Sequence, residues 1–230
     1  MLESNPIMEE KRKLILASAS PRRRELLALM GLPFDLRPGT YPEPQKGEQS
    51  ALDFVRALAV AKGQNVASSP GEIIFSADTI VLIDGKVLGK PADDEDARRT
   101  LGILRGRPHD VYTAINLFEV SSGDSRCEVC KTTVHMRQWS DEEQQAYIYK
   151  GTYHDKAGGY AIQDDNFHPV ERIEGCYANV MGLPLCLLYR MFKEKGLPLP
   201  ANLPEACQAY TGTSCNYYPD VLHEKVLQKV

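Results

Sequence analysis

Residues 73–83 read Ile-Ile-Phe-Ser-Ala-Asp-Thr-Ile-Val-Leu-Ile, and Asp84-Gly85 follows at once. A β-rich run closed by Asp-Gly is a strong signal for a strand entering a two-residue hairpin turn, here returning through residues 86–89. Working outward, residues 14–17 read as a short buried strand. Ser18-Ala19-Ser20-Pro21 then turns the chain into a helix, with Ser20 as N-cap, Pro21 at the first helical position and Gly31 at its end. Beyond a Pro-rich loop over residues 38–47, Ser50 caps a second helix carrying Phe54, Val55, Leu58 and Ala61 and running to about Val66.

Downstream, acidic residues 93–96 open a helix to about Leu104, matched to its positive N-terminal end. Residues 111–120 and 126–136 read as two more strands. Ser140 and Glu143 form a capping box for a helix ending near Lys150 and Gly151. Residues 158–162 and 168–173 read as further strands, and Pro184 starts a helix that Gly196 closes. The alternation predicts a mixed α/β domain over residues 13–196, preceded by an extension (1–12). From Leu197 the composition shifts toward proline, tyrosine and cysteine, so residues 197–230 read as an appended tail with a short helical pattern at 221–228.

The chain has 230 residues, 43% hydrophobic and 25% charged, which is the composition of an ordinary folded protein. A net charge of −4 provides no global basic field for a nucleic acid polymer or an anionic membrane. No apolar run approaches a membrane span, and the N-terminus carries no signal-peptide core, so cytoplasmic residence is expected. Six cysteines are too few for a disulfide scaffold and are expected to be reduced.

Three segments carry candidate chemistry. In Ser18-Ala19-Ser20-Pro21-Arg22-Arg23-Arg24, three arginines occupy a helical first turn, where cations oppose the helix dipole. An anion held by backbone N–H groups, serine hydroxyls and guanidinium forks reverses that penalty, and phosphate is the natural candidate; the alternative is a solvated basic turn. Asp78 interrupts the apolar run, so its carboxylate must reach a strand end, meet a cation or bind a metal. Strict hairpin counting sets Lys90 against Thr79, and a bulge or the end of pairing is needed to bring Asp78 and Lys90 into one site. In His154-Asp155-Lys156-Ala157-Gly158-Gly159-Tyr160-Ala161-Ile162-Gln163, paired glycines permit close backbone approach to a ligand, or form a plain turn; Gln163 suits a base edge. Glu43 and Lys62 are unremarkable in isolation. Five histidines lack metal-ligand spacing, and Cys127-Glu128-Val129-Cys130 is a lone CxxC on an expected strand.

Taken together, SASPRRRELL, Glu43, the Lys62 helix, SADTIV, GKP, DKAGGYAIQ and NVMGLP resemble the Maf family of nucleotide pyrophosphatases over about residues 13–196. The resemblance implies a mixed sheet with two lobes around a central cleft, similar to inosine triphosphate pyrophosphatases, usually cytoplasmic and homodimeric. It implies hydrolysis of a nucleoside triphosphate to monophosphate and pyrophosphate with Mg2+ or Mn2+. By motif, Asp78 matches the proton acceptor, and Glu43 matches an acidic residue of catalysis or metal binding, so both are candidate metal ligands. Lys90 joins them as a catalytic candidate. Arg23, Lys62 and Gln163 match other site positions, Ser18 and Ser20 the phosphate-facing loop, and Lys156 the same glycine segment as Gln163. Arg22, Thr79 and Gln163 match positions that separate subfamilies, and here they look like the branch acting on dTTP and UTP. Asp164-Asp165-Asn166 departs from the family, which usually continues with glycine. A noncatalytic nucleotide-binding regulator of cell division is the alternative.

Overall fold

The computed structural model describes residues 12–41, 44 and 47–222. Its frame is a seven-stranded mixed sheet. In chain order the elements begin β1 (Lys13–Leu16), α1 (Pro21–Ala28), β2 (Phe34–Leu36), α2 (Ala51–Gln64), β3 (Glu72–Ile83) and β4 (Lys86–Leu88). They continue α3 (Asp94–Leu104), β5 (Pro108–Glu119), β6 (Asp124–Met136), α4 (Asp141–Tyr149) and a 3-10 turn (Ala157–Gly159). Then follow β7 (Val170–Glu174), α5 (Tyr177–Val180), α6 (Leu185–Glu194), α7 (Leu203–Thr211) and α8 (Tyr218–Leu222). The strand order is β2-β1-β3-β5-β6-β7, with β4 on β3. β1 runs parallel to both β2 and β3, and the remaining pairs are antiparallel.

The local signals act as expected. Ser20, Ser50, Asp93 and Ser140 each cap a helix through the side chain, and the Ser140–Glu143 box is complete. Asp84 and Gly85 both have positive φ, as the two-residue hairpin requires, and Ile83 pairs with Lys86. Pairing then stops at Val81–Leu88, leaving Lys90 beyond the ladder.

The decisive feature is the other edge of β3. β1 accompanies β3 only as far as Phe75, whose carbonyl accepts the last bond from the Ala17 N–H. β4 joins the same edge only at Val81. The stretch from Ser76 to Ile80 is therefore an opening in that edge, while its other edge stays paired with β5 throughout.

Apolar residues of alternating strand positions divide the interior. One core gathers Leu14, Phe75 and Leu117 under α1, α5 and α6, and a second gathers Val81, Val111 and Val134 under α3 and α4. On the opposite face of β3, Ile80 packs on Phe54, Val55 and Leu58 of α2. These make the two lobes on either side of the gap.

One expectation is corrected. Residues 158–162 do not form a strand, because Gly158 and Gly159 take φ of 72° and 70°, and the chain makes a 3-10 turn there. The tail is more ordered than its composition implies: α7 and α8 place Leu203 and Val221 in the first core, and Tyr210 donates its hydroxyl to Glu25 of α1 at 2.6 Å. The expected helical residues 223–228 lie outside the described residues.

A two-pronged clamp starts β3. Arg37 donates to both oxygens of buried Glu72, each at 2.8 Å, and the Ser69 N–H adds a third bond. The guanidinium, with that N–H, holds the carboxyl at about 2. Its stabilisation is complete above the ordinary value of 4.5 and is lost as pH falls through about 2. Glu72→Gln is expected to cost about 2 kcal/mol at pH 7, the scale of a charge-assisted bond, with the difference from the parent closing as pH approaches 2 in denaturant titrations.

Candidate active site

A cleft of about 860 Å³ opens at the gap in β3. Because the edge is open, side chains from both faces of the strand reach it: Asp78 from the α2 face and Thr79 from the opposite one. Asp78 is only 6% exposed. Its compensation is cationic, since the Lys62 ammonium in the last turn of α2 donates to its carboxylate. The approach depends on Gly63, where a Cβ would fall 2.6 Å from the Ser76 hydroxyl, itself donating to the Ala59 carbonyl at 2.7 Å. Of the three outcomes open for Asp78, the structure shows a cation partner in mid-strand.

The arginine turn is likewise engaged. Arg22 donates to Asp155 at 2.8 Å across the cleft rim. Arg23 lies deeper, with Nε on the Gly182 carbonyl at 2.9 Å, Nη2 on the Thr79 hydroxyl at 3.1 Å and Nη1 on Ser18 at 3.4 Å. Ser18 also accepts from the Ser20 N–H, so it steadies Arg23 from behind while Ser20 lines the cleft. The turn is thus no solvated basic patch at Arg22 and Arg23: protein acceptors aim both guanidinium groups.

Thr79 begins a buried chain of hydroxyls. Thr113 donates to the Asn179 carbonyl at 3.0 Å, so the 2.9 Å contact between the two threonines runs from Thr79 to Thr113. Asn179 in turn donates to the Val111 carbonyl and the Thr132 hydroxyl. The chain locks α5 against β5 and β6, and with it Gly182, whose φ of 104° brings its backbone beside Arg23 and Thr79. Asn179 and Gly182 escaped the sequence reading except as part of NVMGLP.

The third wall is the 156–163 segment. Gly158 donates to the Gly89 carbonyl at 2.9 Å, and a Cβ on Gly159 would meet Pro91 at 2.9 Å. Lys90, between these two contact points, lines the same cleft as Lys156, Tyr160 and Gln163. Lys156 is also tied to Asp155 and the Thr152 carbonyl. The divergent Asp164 has a local task, accepting from the Asn166 and Phe167 N–H groups in a tight turn. Arg22, Arg23, Lys62, Asp78, Thr79, Lys90, Lys156 and Gln163 therefore meet in one cleft, and Glu43 lies outside the described residues. Lys86, from β4, adds a cation that the sequence reading missed.

The family model "Maf-like protein" matches residues 13–195. The chain belongs to the Maf family. It is 46% identical to the dTTP/UTP pyrophosphatase of Thermomicrobium roseum over 202 residues, covering 85% of this chain and 91% of that one. It is 41% identical to the dTTP/UTP pyrophosphatase of Geotalea uraniireducens over 191 residues, covering 83% and 98% respectively. A HAM1 protein from Coxiella burnetii superposes with a TM-score of 0.38 at 19% identity, over 54% of this chain and 72% of that chain. The fold assignment rests on the family match and the sheet described above.

The cysteines stand apart from this Maf cleft. Cys127 and Cys130, three apart on a strand, point to opposite faces and pack in different cores. Cys207 and Cys215, remote in sequence, do approach Cys130: with Cys176 and Cys186 they line a separate cavity of about 370 Å³ beneath α7 and α8. Burial pushes Cys207 up to about 11 and Cys176 up to about 12, so both stay protonated near neutrality. Ellman's reagent is expected to label the thiols of the native protein at least about tenfold more slowly than those of the denatured chain.

Proposed function

We propose that this Maf protein hydrolyses dTTP and UTP to the monophosphate and pyrophosphate, with water attacking the α-phosphorus and a divalent metal assisting. The chain is a nucleoside triphosphate pyrophosphohydrolase, in keeping with relatives named dTTP/UTP pyrophosphatase at 41–46% identity. The observation that carries the reading is the placement of Asp78: a carboxylate set in the open edge of a buried strand, within a cleft walled by Arg22, Arg23, Lys62, Lys86 and Lys90. A triphosphate is the ligand whose charge such a wall complements.

In this mechanism Asp78 takes the proton of the attacking water, and Lys62 fixes the orientation of its carboxylate. Arg23, braced by Gly182, Thr79 and Ser18, meets the phosphate oxygens, with Ser20 and the start of α1 beside it. Lys90 neutralises charge on the departing pyrophosphate. No serine or cysteine nucleophile is involved, so no covalent intermediate forms. Gln163 reads the base edge, and Thr79 and Arg22 shape the pocket around it.

The donor set suits Mg2+ or Mn2+: Asp78 offers a hard carboxylate oxygen, Glu43 is the second carboxylate assigned to the metal, and such ions commonly take one or two carboxylates together with substrate phosphates. When bound, the ion supplies Lewis acidity and further charge neutralisation. We also assign a homodimer in the cytoplasm, with residues 13–196 as the catalytic domain, 1–12 as an extension and 197–230 as a tail. Among the described residues no helix is long and apolar enough to cross a membrane.

The test is pyrophosphate release with Mg2+ or Mn2+ across dTTP, UTP, CTP, 7-methyl-GTP and the purine triphosphates. Preference for dTTP and UTP is expected, abolished by EDTA, and Asp78→Asn is expected to lose about 10²–10⁴-fold in kcat while keeping its melting temperature. Tight nucleotide binding without hydrolysis in the presence of metal overturns the proposal in favour of a regulator. Near-normal turnover by Asp78→Asn removes that residue from the role.

A further inference from the structure

His109, near the start of β5, takes no part in the chemistry above, yet it is among the most deeply placed polar groups of the second lobe, 3% exposed. Its Nε2 lies 2.7 Å from the Tyr160 hydroxyl, and the two rings meet edge to face with centroids 5.3 Å apart. Among the described residues its Nδ1 has no hydrogen-bond partner. A buried imidazole with one ring nitrogen unbonded among the described residues is costly to keep, since that nitrogen forfeits its hydration. Desolvation lowers its pKa to about 4, so the ring is neutral throughout the physiological range. It is a fixed polar anchor, and not a proton carrier.

What it anchors is the base-side wall. Tyr160 sits at the end of the 3-10 turn, and the same turn carries Lys156 on one side and Gln163 on the other. The backbone there has little regular structure of its own: Gly158 and Gly159 are both left-handed, and the segment is positioned by Gly158 on the Gly89 carbonyl, by Gly159 against Pro91 and by Tyr160 in the second core. From residues 157–163, the Tyr160 hydroxyl meets His109 on β5, a strand shared by both lobes.

We propose that His109 is a positioning residue that acts through Tyr160, setting nucleotide affinity and base selectivity by holding residues 156–163 against the cleft. The proposal rests on the pyrophosphatase reading for its substrate. It separates recognition from proton transfer at Asp78, because Asp78, Lys62 and Arg23 are held by contacts that do not involve His109; of the catalytic candidates, Lys90 lies between Gly89 and Pro91, on which the segment packs.

The experiment is a double-mutant cycle with Tyr160→Phe and His109→Leu, plus the conservative His109→Gln, whose amide replaces Nε2. Each protein is assayed for kcat and KM on dTTP, UTP, CTP and ATP, for melting temperature, and for calorimetric binding of a non-hydrolysable UTP analogue. The expected result is a rise of about tenfold in KM and in Kd for each of Tyr160→Phe and His109→Leu, with a smaller fold-change in kcat than in KM. The preference for dTTP and UTP over ATP narrows, the double variant is no worse than the weaker-binding single, and His109→Gln recovers most of the loss. Unchanged affinity and selectivity in folded single variants overturn the proposal. So do losses that add in the double variant, or that fall equally on all four nucleotides in step with melting temperature. A parent that binds the analogue but turns over no triphosphate overturns the pyrophosphatase reading alone, since the binding arm still reports on His109. A parent that does neither overturns both.

Discussion

Everything in the cleft follows from a change of partner along one edge of β3. A central strand normally satisfies both edges, and a carboxylate in its middle would then be sealed among apolar neighbours at a cost of several kcal/mol. Here β1 ends at Phe75 and β4 begins at Val81, so five residues face open space on one side while β5 keeps them straight on the other. The strand remains rigid where it has lost a neighbour. Adjacent residues on opposite faces, Asp78 and Thr79, thereby share one cavity, which an intact sheet forbids.

That opening also organises the charges. Asp78 is matched by Lys62 because Gly63 lets α2 lie close on the strand, and Thr79 is matched by Arg23 because α5 carries Gly182 to the same point. The chain from Arg23 through Thr79 and Thr113 to the Asn179 carbonyl passes one hydrogen bond to the next with each hydroxyl used as both donor and acceptor. Such a fully satisfied line fixes side-chain orientation in a way that isolated surface ion pairs do not. The guanidinium groups at the start of α1 sit against the helix dipole, and the acceptors that compensate them come from Asp155 and the Gly182 carbonyl, remote in sequence.

The sequence made the regular elements legible because their signals are local. Ser20-Pro21, Ser50, Asp84-Gly85 and Ser140-Glu143 each specify a cap or turn by chemistry contained within a few residues. Asp78 was legible for a different reason, since a charge inside an apolar run has to be explained. What escaped was set at long range. Residues 158–162 suggest a strand by sequence, but the two left-handed glycines serve contacts with Val81 and Pro91 that no local pattern records. The tail looked appended because its prolines and cysteines break periodicity, whereas Leu203 and Val221 complete a core begun at residue 14. Cys207 and Cys215 looked remote from Cys130 only because sequence distance was the available measure.

The two sides of the cleft are built on different principles, and the difference bears on how such a protein divides its labour. The wall that carries Arg22, Arg23, Lys62 and Asp78 hangs on regular structure: the first turn of α1, the last turn of α2 and the middle of β3, all tied by ladder or helix bonds. The wall that carries Lys156 and Gln163 is a turn with two left-handed residues, positioned by side chains that reach back into the second lobe. Groups on strands and helices hold their geometry more tightly than groups on turns, as charge stabilisation of a reacting phosphate demands. On the proposed reading, a turn anchored at a few points can change which base it accepts by altering one anchor or one exposed side chain, leaving Asp78, Lys62 and Arg23 where they are. Asp164 fits that logic, since its carboxylate closes a local turn while Gln163, one residue earlier, still lines the cleft.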